Sequence, residues 1–172
     1  LPKMTFLVGL STLLLASCAS TPSNVDNICA IFEEKGRWYK AAKKSEERWG
    51  TPIHIQMAII RQESSFDANA KPLDSTWKSY QADTGRHGAD RDKFKDAIDF
   101  VGWYTDQSQK IAGISKWDPY NQYLAYHEGQ GGWQKKTYSS KGWLINTAKR
   151  VDSREKRWGG NLKQCESGLD KG

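Results

Sequence analysis

From residue 28 onward, apolar side chains recur at the intervals of a helix face, and no stretch alternates apolar and polar residues for the length of a strand. That pattern restricts the chain to helices packed on helices. Glycines and prolines punctuate it: Thr51-Pro52 and Asp118-Pro119 read as helix starts, whereas Gly50, Gly85 and Gly113 read as stops. The spacing of Ile28, Ile31, Phe32, Trp38, Tyr39, Ala42 and Trp49 predicts one long amphipathic helix. Further helices are expected over 51–64, over a short stretch opening at Asp74 or Ser75, over about 92–112, from Asp118 onward, and over about 141–162. The helix over about 92–112 should bury Phe94, Ile98, Val101, Tyr104 and Ile111, and the last Trp143, Leu144, Ala148, Val151 and Trp158. The fold class is all-α, with no internal repeat and no second domain.

At 172 residues the chain is one domain's worth. Its net charge of +6 is spread without a dense basic block, and no nucleic-acid motif accompanies it, so the excess suits a polyanionic partner rather than DNA or RNA. Asp90, Asp92, Asp96 and Asp99 suggest a metal cluster at first sight. Their spacing lacks that of a calcium loop, and the first two are better explained as acids offsetting a helix dipole. His54, His87 and His127 show no metal-ligand spacing. Neither metal nor cofactor is expected.

The chemistry concentrates at Glu63, in the string Ile59-Ile60-Arg61-Gln62-Glu63-Ser64-Ser65-Phe66. A helix beginning at Pro52 places Glu63 in its last turn. Unpaired carbonyls there disfavour a negative charge by roughly 0.3–1 kcal/mol, and packing against the isoleucines and Phe66 would desolvate it. Both effects raise a carboxyl pKa, as a general acid near neutral pH requires. Position alone is also compatible with a solvated surface glutamate paired to Arg61. Further on, Tyr123-Leu124-Ala125-Tyr126-His127-Glu128-Gly129-Gln130-Gly131-Gly132-Trp133 closes a helix on glycines that let backbone approach a ligand, beside hydroxyls and flat rings suited to sugars.

These two strings together resemble the soluble lytic transglycosylases and goose-type lysozymes. In that family a helix ends in Glu-Ser-x-Phe, matched by Glu63, Ser64 and Phe66. A later Ala-Tyr-Asn-Ala-Gly-x-Gly is matched at Ala125, Tyr126, Gly129 and Gly131, with departures at His127 and Glu128. The resemblance implies a lysozyme-like helical fold, glycan strands of peptidoglycan as partner, and cleavage between N-acetylmuramic acid and N-acetylglucosamine. It makes Glu63 the catalytic acid and then base, with formation of a 1,6-anhydromuramoyl end. Ser64 and Ser65 then hold substrate or orient Glu63, Tyr126 lies near Glu63, and Tyr123, Gly129 and Gly131 line the groove. Trp143 stands where many relatives carry a tyrosine.

Relatives also carry a Gly-x-x-Gln segment between the catalytic glutamate and the aromatic helix. Here Lys71-Pro72 runs directly into Leu73-Asp74-Ser75-Thr76-Trp77. Either the groove is built differently, the site is damaged, or a loop is absent from this sequence; the intact flanks favour the last. Two other functions stay open. A hydrolytic muramidase needs a second carboxylate, for which Asp67 and Glu128 are candidates. A non-catalytic, peptidoglycan-binding lipoprotein needs none.

The first residues read as delivery. Lys3 precedes an apolar run over 6–16, the length of a signal-peptide core. Leu15-Ala16-Ser17-Cys18 resembles a bacterial lipobox, which implies cleavage before Cys18 and its lipidation. Ala19-Ser20 lacks the aspartate associated with inner-membrane retention, so the expected location is the outer membrane, facing the periplasm. With Cys18 acylated, Cys29 and Cys165 remain as an even pair in an oxidising compartment, either bridged or two separate buried thiols. The expected organisation is a signal peptide over 1–17, a tether over 18–27, the catalytic domain over 28–165 and a tail over 166–172.

Overall fold

A computed structural model describes residues 21–64 and 74–172, with Ser64 described in its backbone only. Seven α-helices and one 3-10 turn follow in order, and the described residues contain no strand: α1 Ile28–Glu34, α2 Gly36–Trp49, α3 Ile53–Ser64, α4 Asp74–Thr84, α5 Phe94–Ala112, α6 Pro119–Gln134, the turn Thr137–Ser140, and α7 Gly142–Leu169. The fold is all-α, as the pattern predicts, and agrees with the lysozyme-like arrangement that the resemblance implies.

The long first helix is broken in two. Lys35 leaves helical geometry at φ −120° and ψ 59°, and Gly36 starts α2 in a new direction. Periodicity runs through the break because both halves turn their apolar side to the same core, so spacing alone cannot reveal it. Asn27 caps α1 by accepting from the Cys29 and Ala30 amides, and Asp118 caps α6 by accepting from Asn121, with Pro119 following as its first residue. At α3 the expected cap is replaced. Thr105 donates to the Gly102 carbonyl, so the Thr51 hydroxyl donates to Thr105, and Glu46 of α2 receives the Ile53 amide at 3.0 Å.

Helix α3 is the axis. From Thr51 to Ile60 only His54 reaches the surface, and α2, α5, α6 and α7 pack around it. A helix apolar on every side is stable only in such a surround. Its one deeply buried amide, Gln56, accepts from Ser45 at 2.7 Å and donates to the Thr51 carbonyl at 2.6 Å, so nothing polar is left unmet there. The helix emerges from the core at Arg61, and Glu63 is its first exposed residue after that burial.

The acids that suggested a metal serve the joint between α2, α4 and α5. Asp99 accepts from the Trp49 indole (3.0 Å), the Tyr80 hydroxyl (2.6 Å) and Arg86 (2.7 Å), while Arg86 also binds Asp96 at 2.8 Å. Arginine supplies the counter-charge that a cation would have supplied. No group of three potential metal ligands occurs among the described residues. Trp77 and Tyr80 are buried against Phe100 and serve packing.

Helices α2 and α5 approach most closely at Gly102, where an added Cβ would stand 2.4 Å from Ser45 Oγ and 2.6 Å from Trp49 Cδ1. Gly102→Ala should therefore lower stability by about 1–3 kcal/mol, read as a lower denaturation midpoint at unchanged m-value.

Two expected core residues are exposed. Ile111, in the last turn of α5, is 56% exposed, and Trp143, in the first turn of α7, is 58% exposed. Each sits at a helix end beyond the reach of the neighbours that cover the middle turns. Helix α7 also runs through the expected boundary at 165 as far as Leu169, and Asp170 then accepts from Tyr39 at 2.7 Å. At the other end the expected tether is partly docked: Pro22 is buried, Ser23 binds Glu34, and the Trp158 indole donates to the Asp26 carbonyl. Cys29 and Cys165 form a disulfide joining α1 to α7.

Candidate active site

Three helices meet where α3 leaves the core. Glu63 comes from α3, Tyr123, Tyr126 and His127 from α6, and Arg150 and Arg154 from α7. Asp118-Pro119 fixes the start of α6, so that Tyr123 and His127, four residues apart, share one face toward the end of α3. The Tyr123 hydroxyl faces the Glu63 carboxyl closely enough to act on its pKa as a donor.

Glu63 is open to water on one side while protein crowds its carboxyl on the other. Desolvation is the largest influence on its carboxyl and raises the pKa. The Tyr123 hydrogen bond and the charge of His127 pull the other way without cancelling it. Burial, then the charge and hydrogen bond of Glu63, raise the Tyr123 pKa well above that of a free tyrosine. Tyr123 thus stays a neutral donor at any physiological pH. A carboxyl inclined to hold its proton, fixed by a neutral hydroxyl, can donate a proton and recover it without a metal.

Tyr126, expected near Glu63, stands within reach of its charge. Its ring packs on Tyr104 at 4.9 Å and edge-on to Phe100 at 6.2 Å, and burial, then the Glu63 charge, raise its pKa. Gly129 breaks α6 at φ 75° and ψ 159°, a conformation nearly closed to other residues, and space is open beside both Gly129 and Gly131. The glycine-rich exit therefore leaves room along the groove. Ser65, Phe66, Asp67 and the place of the missing Gly-x-x-Gln segment lie outside the described residues, as do the Ser64 side chain and Cys18.

The two departures from the family motif are tied together. Glu128 accepts from Lys141 at 2.7 Å, from Thr137, and from His127 at 3.0 Å, and its side chain is 4% exposed. Lys141 and Thr137 hold its pKa down at about 2. His127 meets Trp143 edge to face at 5.0 Å. Glu128 is thus an anchor for the segment after α6 and is already occupied as an acceptor.

Sequence reading missed the Tyr123–Glu63 hydrogen bond and the nearness of Arg150 and Arg154, both of which bear electrostatically on Tyr123. Their four-residue spacing on α6 and α7 was visible; which faces would meet was not.

A family model described as the transglycosylase SLT domain matches residues 6–74 and 69–165, in two pieces that meet where the Gly-x-x-Gln segment is missing. No curated protein and no solved structure matches the chain.

Proposed function

The chain belongs to the transglycosylase SLT domain family, and from that premise we propose that it is a peptidoglycan lytic transglycosylase with Glu63 as its acid and base. The observation that carries this reading is Glu63 itself, the motif's carboxyl, emerging at the end of the buried central helix with protein crowding it and Tyr123 beside it. Glu63 gives its proton to the glycosidic oxygen as the bond to the muramoyl C1 breaks, with the substrate's acetamido group assisting. The carboxylate then takes the proton of the muramoyl 6-hydroxyl as that oxygen bonds to C1, which closes the 1,6-anhydro ring and returns Glu63 protonated. By the family resemblance Ser64 and Ser65 hold substrate or orient Glu63, and the open space beside Gly129 and Gly131 leaves room for the strand.

Glu128 is a poor candidate for the second carboxylate of a hydrolase, because its lone pairs are engaged by Lys141, Thr137 and His127. No helix among the described residues is long and apolar enough to cross a membrane, and attachment to the outer membrane falls to a lipid on Cys18.

Solubilisation of purified sacculi tests the reading. The protein should release muropeptides, whereas a binding module would pellet with the sacculi and release none. Tyr123→Phe gives a finer test. The lost hydrogen bond had lowered the Glu63 pKa, so the pKa rises further, and because Glu63 must start protonated, the falling limb of the kcat/KM profile moves to higher pH. The rate at the optimum should drop by about three- to tenfold.

A further inference from the structure

Arg150, Arg154 and Arg157 fall at helical spacing on one side of α7, and Arg150 and Arg154 bear electrostatically on Tyr123. Gln62 accepts from Arg154 at 3.4 Å, and the Arg154 guanidinium lies over the Trp158 ring at 6.0 Å. Arg150, one turn earlier on α7, donates to the Thr147 hydroxyl at 2.6 Å. Burial, then the charges of Arg61, Arg157 and Arg150, lower the Arg154 pKa below that of a free arginine, with Asp26 the one acid acting against them.

Other partly buried cations of this chain have their acids. Arg86 has Asp96 and Asp99, and Lys116 has Asp106. Among the described residues, Arg150, Arg154 and Arg157 have no carboxylate within 4.0 Å. Like charges held on one side of a helix repel one another, and at the half-buried Arg154 an anion arriving from outside relieves that repulsion. A guanidinium fork matches a carboxylate in two parallel hydrogen bonds, and the substrate class proposed above carries free carboxylates on its stem peptides.

We propose that Arg150, Arg154 and Arg157 form a carboxylate subsite that takes the stem peptide of the strand being cut at Glu63. The proposal rests on the peptidoglycan reading of that site. It makes the enzyme selective for glycan whose stem peptides are present and ionised. Helix α7 therefore reads the peptide while α3 and α6 act on the sugar.

The test compares two preparations of sacculi, one native and one with its free carboxyls converted to amides, which removes charge and keeps the peptides. The protein should show a KM about tenfold higher on the amidated sacculi, with kcat little changed. The Arg150→Gln/Arg157→Gln double variant alters two exposed side chains and should handle both preparations alike. Arg154→Gln, with its melting temperature recorded, should do the same. Equal KM on both preparations for the unaltered protein would overturn the subsite. So would a double variant that keeps the difference, or one whose only loss is binding to vesicles containing phosphatidylglycerol, which would assign the arginines to the membrane. If neither preparation is cleaved by any form, the reading of Glu63 fails separately. Co-sedimentation of the same proteins with the two preparations then judges the subsite, which requires weaker pelleting with amidated sacculi that disappears in the double variant.

Discussion

Glu63→Gln should abolish the release of soluble product from sacculi while leaving attachment to them intact. The amide keeps the shape of the carboxyl and still accepts from Tyr123, so the end of α3 and the wall of the groove are preserved. What disappears is the proton. General acid–base assistance contributes about 10²–10⁴-fold, and here one side chain is asked for it twice, first at the leaving oxygen and then at the 6-hydroxyl. A rate loss of about 10³-fold or more is therefore expected, measured as initial solubilisation at matched protein concentrations. Binding is read by co-sedimentation and folding by an unchanged thermal transition. A Glu63→Gln protein that keeps more than a tenth of the activity would move the chemistry to another residue.

The second large effect is on stability. The Cys29–Cys165 bridge spans 136 residues, nearly the whole folded part. Loop-closure entropy for a span of that size corresponds to about 5 kcal/mol, against about 5–15 kcal/mol for the entire stability of a domain. The Cys29→Ser/Cys165→Ser double variant should accordingly melt about 10–20 °C lower. The unaltered protein should show the same drop in a reducing agent. Because the bridge ties α1 to α7 and the candidate site is built from α3, α6 and the middle of α7, activity at room temperature should survive the change. A transition indifferent to both reductant and substitution would mean that the reduced chain holds its ends together equally well.

The helices were legible in the sequence because their signals are local. Asp118-Pro119 starts α6, and Gly50, Gly85 and Gly113 all take positive φ after α2, α4 and α5, a conformation that penalises any side chain. What was not legible depended on which surfaces meet. The break at Lys35 leaves the apolar period intact. Ile111 and Trp143 keep the period of a core face, yet lie in terminal turns that nothing covers. Asp96 and Asp99 are separated from Arg86 by a loop, and the sequence does not say whether a metal or a guanidinium will neutralise them.

The candidate site divides along the same line. Glu63 stood out because a motif and a helix end coincide on it. Tyr123 did not outrank Tyr126, since both are aromatic residues of one helix and only the crossing of α6 over α3 decides which hydroxyl reaches the carboxyl. The arginines of α7 are dispersed among many other basic residues along the chain. Packing of α7 against α3 is what turns Arg154 into a half-buried charge next to Gln62.

The mass of the soluble products from sacculi tests the central claim most directly. Muropeptides one water lighter than those of hydrolysis, with no reducible muramic acid end, are the result expected if Glu63 both donates and recovers the proton. Products of full mass, with a reducible end, would contradict it by showing that water and not the 6-hydroxyl attacks C1.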